Sequence, residues 1–313
     1  MKLSIKIRAP NRNLKNMKNT YQTPITYDLE KYADYQSVES GTLLSIEEFN
    51  QVGINLLLET HQAVWAPTPF AIKMGEFMVS DGCQEKVVMD FASGSGFLSV
   101  IAGKSGAAQV IATDLNPNAI MMTQRNWALN NLNPERLYAV ESDCFEAIQG
   151  HPAIEGQVDV IYSNPPTVPD LKGDLKRLSA GDWNINGQGG RIVNDALITQ
   201  GRRFLKPGGE MLFITTSKQG SKLTCDLLNQ YWGKGVQADG DDPLDYAIDW
   251  ETRGEANWAV LKRVDLPLSD YYLPFLFQIQ QFAKEHGQPE PLIEKEGVLY
   301  QKIYFIRAIA FPD

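Results

Sequence analysis

From Glu85 onward the chain alternates short apolar runs, rich in β-branched residues, with stretches of helical periodicity. That alternation constrains the fold more than any other feature. The runs are KVVMDFA, AQVIATD, RLYAVES, VDVIYS and EMLFITTS, and between them stand FLSVIAGK, PNAIMMTQRNWALNNL and RIVNDALITQGRRFLK. Near-continuous apolar strands alternating with helices predict a doubly wound α/β fold, a mainly parallel sheet covered on both faces. Right-handed crossovers then bring ligands to the carboxyl ends of the strands.

The flanks are read from local signals. Ser45-Ile46-Glu47-Glu48 has the form of a capping box, and Phe49, Val52, Leu56 and Leu57 follow at helical spacing, which predicts a helix over about 45–63. Two prolines in VWAPTPF (64–70) break it, and a second short helix runs to about Ser80. Residues 1–85 are thus expected to form a helical leader or lid, and 86–313 the catalytic domain. Near the end, NWAVLKRVDL, the helix candidate SDYYLPFLFQIQQFAKEHG and VLYQKIYFIRAIAF complete a seven-stranded sheet with a helical cap inserted over about 265–295. The acidic stretch GKGVQADGDDPLD is expected to be a surface loop.

Composition excludes little. No window approaches the run of about 18 apolar residues that a membrane span needs. The first 18 residues hold six Lys or Arg and no acid, without the apolar centre of a secretory signal, so cytoplasmic residence is the default expectation. Cys83, Cys144 and Cys225, like the three histidines, are scattered without metal-like pairing, and no metal site is expected. A formal net charge of −9 makes nucleic acid an unlikely partner, because phosphate contacts need clustered Lys and Arg. Monomer and homodimer both stay open.

The first strand runs into Asp90-Phe91-Ala92-Ser93-Gly94-Ser95-Gly96, and a helix follows at once. Two glycines one residue apart allow a tight turn and close backbone approach to a ligand, with free N–H groups at the helix start. Ser99 stands where the third glycine of a dinucleotide fingerprint would be. The second strand ends in Asp114, followed by Leu115 and Asn116, where a carboxylate can accept both ribose hydroxyls. Asp143 closes the third strand beside Cys144, where it can accept from an exocyclic adenine amine. Taken singly, each Asp could equally be a helix N-cap. The fourth strand ends in Asn164-Pro165-Pro166-Thr167.

Together, D-x-A-x-G-x-G, an acid ending the next strand, SNPP ending the fourth and LKPGG (205–209) before the fifth resemble the class I S-adenosylmethionine-dependent methyltransferases. The nearest look is to the N-methyltransferases with an N-P-P-aromatic loop, such as the HemK-type glutamine and small-domain rRNA guanine enzymes. VWAPTPF and GQGGR (187–191) are similar to segments of those chains too. The resemblance covers about residues 64–220. It implies S-adenosylmethionine as cofactor, held by Asp90, Ala92, Ser93, Gly94 and Gly96 at the methionine end, Asp114, Leu115 and Asn116 at the ribose, and Asp143 and Cys144 at the adenine, with Asn164 beside them.

Asn164 and Pro165 are the expected catalytic pair. Their carbonyl oxygens can hold an N–H₂ group by both hydrogens and leave its lone pair aimed at a sulfonium methyl. Thr167 departs from the family, whose loop carries a ring at that position. That absence favours a compact amine over a flat group, so the expectation is a small-molecule or amino-acid-like acceptor. Pro166, Thr167, Trp183, Trp65, Phe70, Tyr271 and Tyr272 are expected to line its pocket. Three alternatives stand beside it: cyclisation of the cofactor with release of methylthioadenosine, methylation of a protein glutamine or of rRNA, and a scaffold that only binds the cofactor.

Overall fold

The computed structural model describes residues 2–5, 25–28, 43–46, 54–59, 61, 63–170, 187–268, 270–286 and 291–311. Twelve strands and six α-helices are described. Two short antiparallel pairs lie in the leader: β1 (Lys2–Ile5) with β2 (Ile25–Asp28), and β3 (Leu43–Ile46) with β4 (Leu56–Glu59). Helix α1 (Pro69–Asp81) follows. The main sheet contains β5 (Val87–Phe91), β6 (Gln109–Asp114), β7 (Leu137–Glu141), β8 (Val158–Ser163), β9 (Leu205–Thr216), β10 (Trp258–Pro267), β11 (Leu292–Lys295) and β12 (Val298–Ile309). The remaining helices are α2 (Phe97–Lys104), α3 (Pro117–Leu129), α4 (Ile192–Gln200), α5 (Ser221–Tyr231) and α6 (Leu276–Glu285).

The strand order is β10-β12-β9-β8-β5-β6-β7, with β12 antiparallel to both neighbours and the pairs from β9 to β7 all parallel. The order reverses between β5 and β8, and a crevice at that switch point is where an open α/β sheet binds its ligand. Seven strands form the continuous path, as the sequence predicts. An eighth, β11, pairs with the start of β12, beyond the point where β9 ends.

Alternation along each strand sends side chains to two cores. Val88, Val160, Tyr162, Leu212 and Phe305 face α1, α2 and Trp127 of α3, whereas Met89, Ile161, Met211, Phe213 and Tyr304 face α4 and α5. Burial of each such aliphatic side chain contributes roughly 1.5–3 kcal/mol, so the sheet is fixed from both faces.

The helical leader needs correction. The only α-helix among its described residues is α1, capped by Thr68 with Pro69 in its first turn. The helix expected over 45–63 is replaced at both ends by β3 and β4. Leu56 and Leu58 are buried and alternate with half-buried neighbours, so period 2 wins over the spacing of three and four. Two asparagine side chains, from Asn126 of α3 and Asn130 at its C-cap, complete the strand. Asn130 accepts from Leu57 N and donates to Leu57 O, at 2.9 and 2.6 Å, and Asn126 does the same to Glu59, at 2.6 and 3.0 Å. Such partners, 67 to 73 residues away, leave no local trace.

The cap expected between β10 and β12 is present. Pro274 lies in a 3₁₀ stretch, Asp270–Phe275, that leads into α6, so the expected single helix is divided. Because β12 begins beyond the carboxyl end of β9, this insertion and β11 lie at the same end of the sheet as the glycine-rich loop.

Candidate active site

Strand β5 delivers Asp90 into the interior, 1% exposed, where one carboxylate oxygen accepts from Ser99 N and Ser99 Oγ at 2.9 and 2.6 Å. Burial pushes this carboxyl up to about 7, against the Ser99 hydrogen bonds that lower it. Asp90 therefore ties the glycine-rich loop to the first turn of α2. Ala92, Gly94 and Gly96 all have positive φ, at 60, 54 and 74°. A Cβ on Gly96 would lie 2.7 Å from the Thr123 backbone, so only glycine fits there, whereas one on Gly94 would meet nothing within 4 Å. Ser93 is buried, with Oγ 3.3 Å from Thr123 Oγ1.

Asp114 is held on both oxygens: Gly94 N donates at 2.8 Å to one, and Asn116 N at 2.8 Å to the other. Burial raises its carboxyl, while the N–H groups of Asn116, Gly94 and Leu115 pull it down. Its carboxylate offers about four acceptor sites against these three N–H donors, so capacity remains to accept from a sugar hydroxyl. Asn116 has a structural role: 3% exposed, it caps α3 and donates to Ala63 O at 2.7 Å, fastening the upstream proline segment over Asp114. Asp143 is exposed. Beside it Cys144 sits at φ 50°, its thiol pushed up to about 12 chiefly by burial, so it remains a neutral thiol. The open space over Gly94, with Asp114 and Asp143 at adjacent strand ends, fits a nucleoside.

Asn164 lies at the end of β8. Its Nδ2 donates to Thr68 Oγ1 at 3.0 Å, and that hydroxyl also accepts from Ala71 N at 3.0 Å as the N-cap of α1. This contact joins residues 96 apart and leaves the Asn164 carbonyl oxygen available as an acceptor. Pro165 is buried, and Pro166 and Thr167 are half-buried.

The other expected pocket residues separate. Phe70, half-buried at the start of α1, packs against the core cluster that includes residues of α1 and α2, and Trp65 is half-buried in the segment before α1. Tyr272 is 7% exposed in a small cap cluster with Leu268 and Ile279, against which Val168 packs. Tyr271 lies in the 3₁₀ stretch, and its side chain falls outside the description, as does Trp183.

Sequence reasoning missed a polar cluster beneath the N-P-P loop. Arg191, 3% exposed, donates to Gly220 O at 3.3 Å and Thr224 Oγ1 at 2.9 Å and pairs with Asp195 at 2.6 Å. Lys218, also 3% exposed, stands 4.2 Å from the Tyr272 ring centroid and donates to Gln301 Oε1. Desolvation lowers its ammonium to about 7. The GQGGR motif was the available signal, but nothing local marks Lys218.

The strand order, the glycine-rich loop and the three acids at successive strand ends define a class I S-adenosylmethionine-dependent methyltransferase. Comparison narrows this. Residues 68–168 match the family model of ribosomal protein L11 methyltransferase (PrmA). A Methanocaldococcus jannaschii protein, named as a candidate protein N5-glutamine methyltransferase, is 32% identical over 174 residues, 55% of this chain and 81% of the relative. A ribosomal RNA large subunit methyltransferase K/L from Shewanella amazonensis is 26% identical over 171 residues, 54% of this chain and 22% of the relative. A solved Streptococcus mutans structure, described as a candidate S-adenosylmethionine-dependent methyltransferase, shares the fold at TM-score 0.50 with 16% identity, covering 87% of this chain and 57% of that one. The chain belongs to the family of the archaeal relative, within the class I S-adenosylmethionine-dependent methyltransferases.

These relatives overturn the expected small-molecule partner and the expectation that nucleic acid is an unlikely one, since their names place the acceptor in protein or ribosomal RNA. The physical errors are separable. Net charge sums over all faces of a molecule and says little about one face, and a missing ring at position 167 does not fix the size of the acceptor. Among the described residues no helix is long and apolar enough to cross a membrane.

Proposed function

We propose that the protein is an S-adenosylmethionine-dependent N-methyltransferase acting on a macromolecule, with the side-chain amide of a protein glutamine as acceptor. The observation that carries this reading is the Asn164 to Thr68 hydrogen bond, which fixes which end of the Asn164 amide is left to accept. Gly94, Gly96, Asp114 and Asp143 would hold the cofactor, with Asp90 bracing the loop. Bound there, S-adenosylmethionine supplies a methyl group activated on a sulfonium sulfur.

An amide nitrogen is a weak nucleophile, and the chain's contribution is aim and charge. Asn164 Oδ1 and the Pro165 carbonyl accept the two N–H bonds of the acceptor, so its lone pair points away from both. Positive charge developing on that nitrogen is met by the same two oxygens; as the N–C bond forms the sulfur–methyl bond would break, leaving S-adenosylhomocysteine, and the surplus N–H proton would pass to solvent. Pro165 and Pro166 fix φ near −65° and reduce the ordering cost of the loop. Relatives named as glutamine and release factor glutamine methyltransferases support an amide over an amine.

The test is methylation of purified release factors, ribosomal proteins and ribosomal RNA, read by mass spectrometry of peptides and nucleosides. A gain of about 14 Da on a glutamine (one CH₃ in place of one H), lost in Asn164→Ala while cofactor titration is unchanged, is the expected result. Methyl transfer to RNA alone would move the acceptor out of protein. Full turnover in Asn164→Ala would overturn the role of the loop.

A further inference from the structure

The N-P-P loop is gripped from two sides, and both grips lead to one turn. At the carboxyl end of β9 the chain makes a 3₁₀ turn, Ser217–Gln219, whose three residues are at most 3% exposed. Each reaches a different neighbour. Ser217 Oγ accepts from Lys302 N on β12 at 3.0 Å, and Lys218 stacks on Tyr272 of the cap. Gln219 turns back toward the loop.

The Gln219 amide is fully used. Its Oε1 accepts from Thr216 N at 2.9 Å and Thr215 Oγ1 at 3.2 Å, while its Nε2 donates to Asn194 Oδ1 at 3.1 Å and to Gly190 O. Gly190, at φ 67°, lies directly against the loop: a Cβ there would stand 2.6 Å from Thr167 O and 3.0 Å from Pro169 N. Backbone thus rests on backbone, without a flexible side chain between. Arg191 secures the same turn from behind through Gln219 O and Gly220 O. On the loop's other side Val168 packs against the cap cluster that holds Tyr272.

We propose that Gln219 and Gly190 are positioning residues for methyl transfer: Gln219 fixes Gly190, and Gly190 fixes the backbone of Thr167 and so the aim of Asn164 and Pro165. This rests on the proposed role of the N-P-P loop. The physical ground is the steep dependence of such reactions on geometry, where a displacement of about 1 Å can cost about 100-fold in rate. Close-packed contacts transmit a displacement of that size because they have no slack to absorb it.

The experiment compares Gly190→Ala, Gln219→Met and the double variant in the full chain, with Gly208→Ala as control. Gly208 has φ 78° and nothing within 4 Å of a Cβ, so it carries the backbone strain of the substitution without a contact. Three readouts are taken: affinity for S-adenosylhomocysteine by calorimetry, ¹³C-methyl NMR of Thr167 and Val168, and steady-state kinetics on the acceptor found for the wild type. Expected are affinity within about twofold of wild type, displaced Thr167 and Val168 signals, and a kcat about 100-fold lower with KM changed far less. The double variant should be no worse than the poorer single one, because the two residues act in series. Unmoved Thr167 and Val168 signals in Gly190→Ala overturn the proposal, and so does a loss of cofactor affinity that parallels the loss of turnover. If no acceptor is found, the proposed function fails while the NMR result still decides the relay. Signals that move with kcat unchanged overturn the catalytic part.

Discussion

The two halves of this site are built differently. In the half proposed to hold the cofactor, Asp90, Gly94, Gly96, Asp114 and Asp143 each sit where a strand stops or a helix starts, with close partners in sequence: Ser99 lies 9 residues from Asp90, and Gly94 20 from Asp114. In the half proposed to meet the acceptor, Asn164 meets Thr68 across 96 residues and Lys218 meets Gln301 across 83. Local geometry makes the first half, and tertiary packing makes the second. A half made of strand ends should tolerate change at a distance, and a half made of long-range contacts should not.

Substitutions can break this contrast, and the largest effect is expected at Asn164. Asn164→Ala should lower turnover by about 10²–10³ with cofactor affinity retained, as measured by single-turnover methylation beside calorimetry. Next, Asp114→Asn should weaken cofactor binding by about 10–100-fold, since charged hydrogen bonds from Gly94 and Asn116 and those to the bound diol are all reduced. Its kcat at saturating cofactor should change little. A large kcat effect would show that the two halves are less separable than the contacts suggest.

Thermal stability against pH sharpens the comparison, because each half holds one buried group brought to about 7 from opposite directions. Asp90 is raised, so between about 4 and 7 the folded chain keeps a proton the unfolded chain has lost, and stability falls as pH rises. Lys218 is lowered, so between about 7 and 10 the unfolded chain holds the extra proton, and stability rises with pH. Asp90→Asn should flatten the falling limb and Lys218→Met the rising one, each seen by calorimetry across pH 4 to 10. The smallest effect is expected at Asn130→Ala. It removes two hydrogen bonds to Leu57 and should cost about 1–3 kcal/mol of stability, read by chemical denaturation, without altering kcat.

The sheet, its order of strands and helices, and the acids at its edge were legible because hydrophobic period and chain punctuation carry them locally. VVMDF is apolar on both faces because β5 is covered on both, and Asn116-Pro117 starts α3 because proline tolerates the first turn. The leader was misread because the same leucines satisfy two periods, and the choice was made by Asn126 and Asn130 from a distant helix.

By itself the sequence determined the class of fold and the cofactor, and it marked the loop proposed to meet the acceptor. Each depends on residues adjacent in the chain, and backbone sterics act on neighbours. Only the tertiary structure decided that Asn164 is oriented by Thr68, that Gly190 lies under Thr167 and that Lys218 is buried against the cap. Those contacts form when loop closure brings remote segments together, and their energy depends on distance in space, to which spacing along the chain is blind.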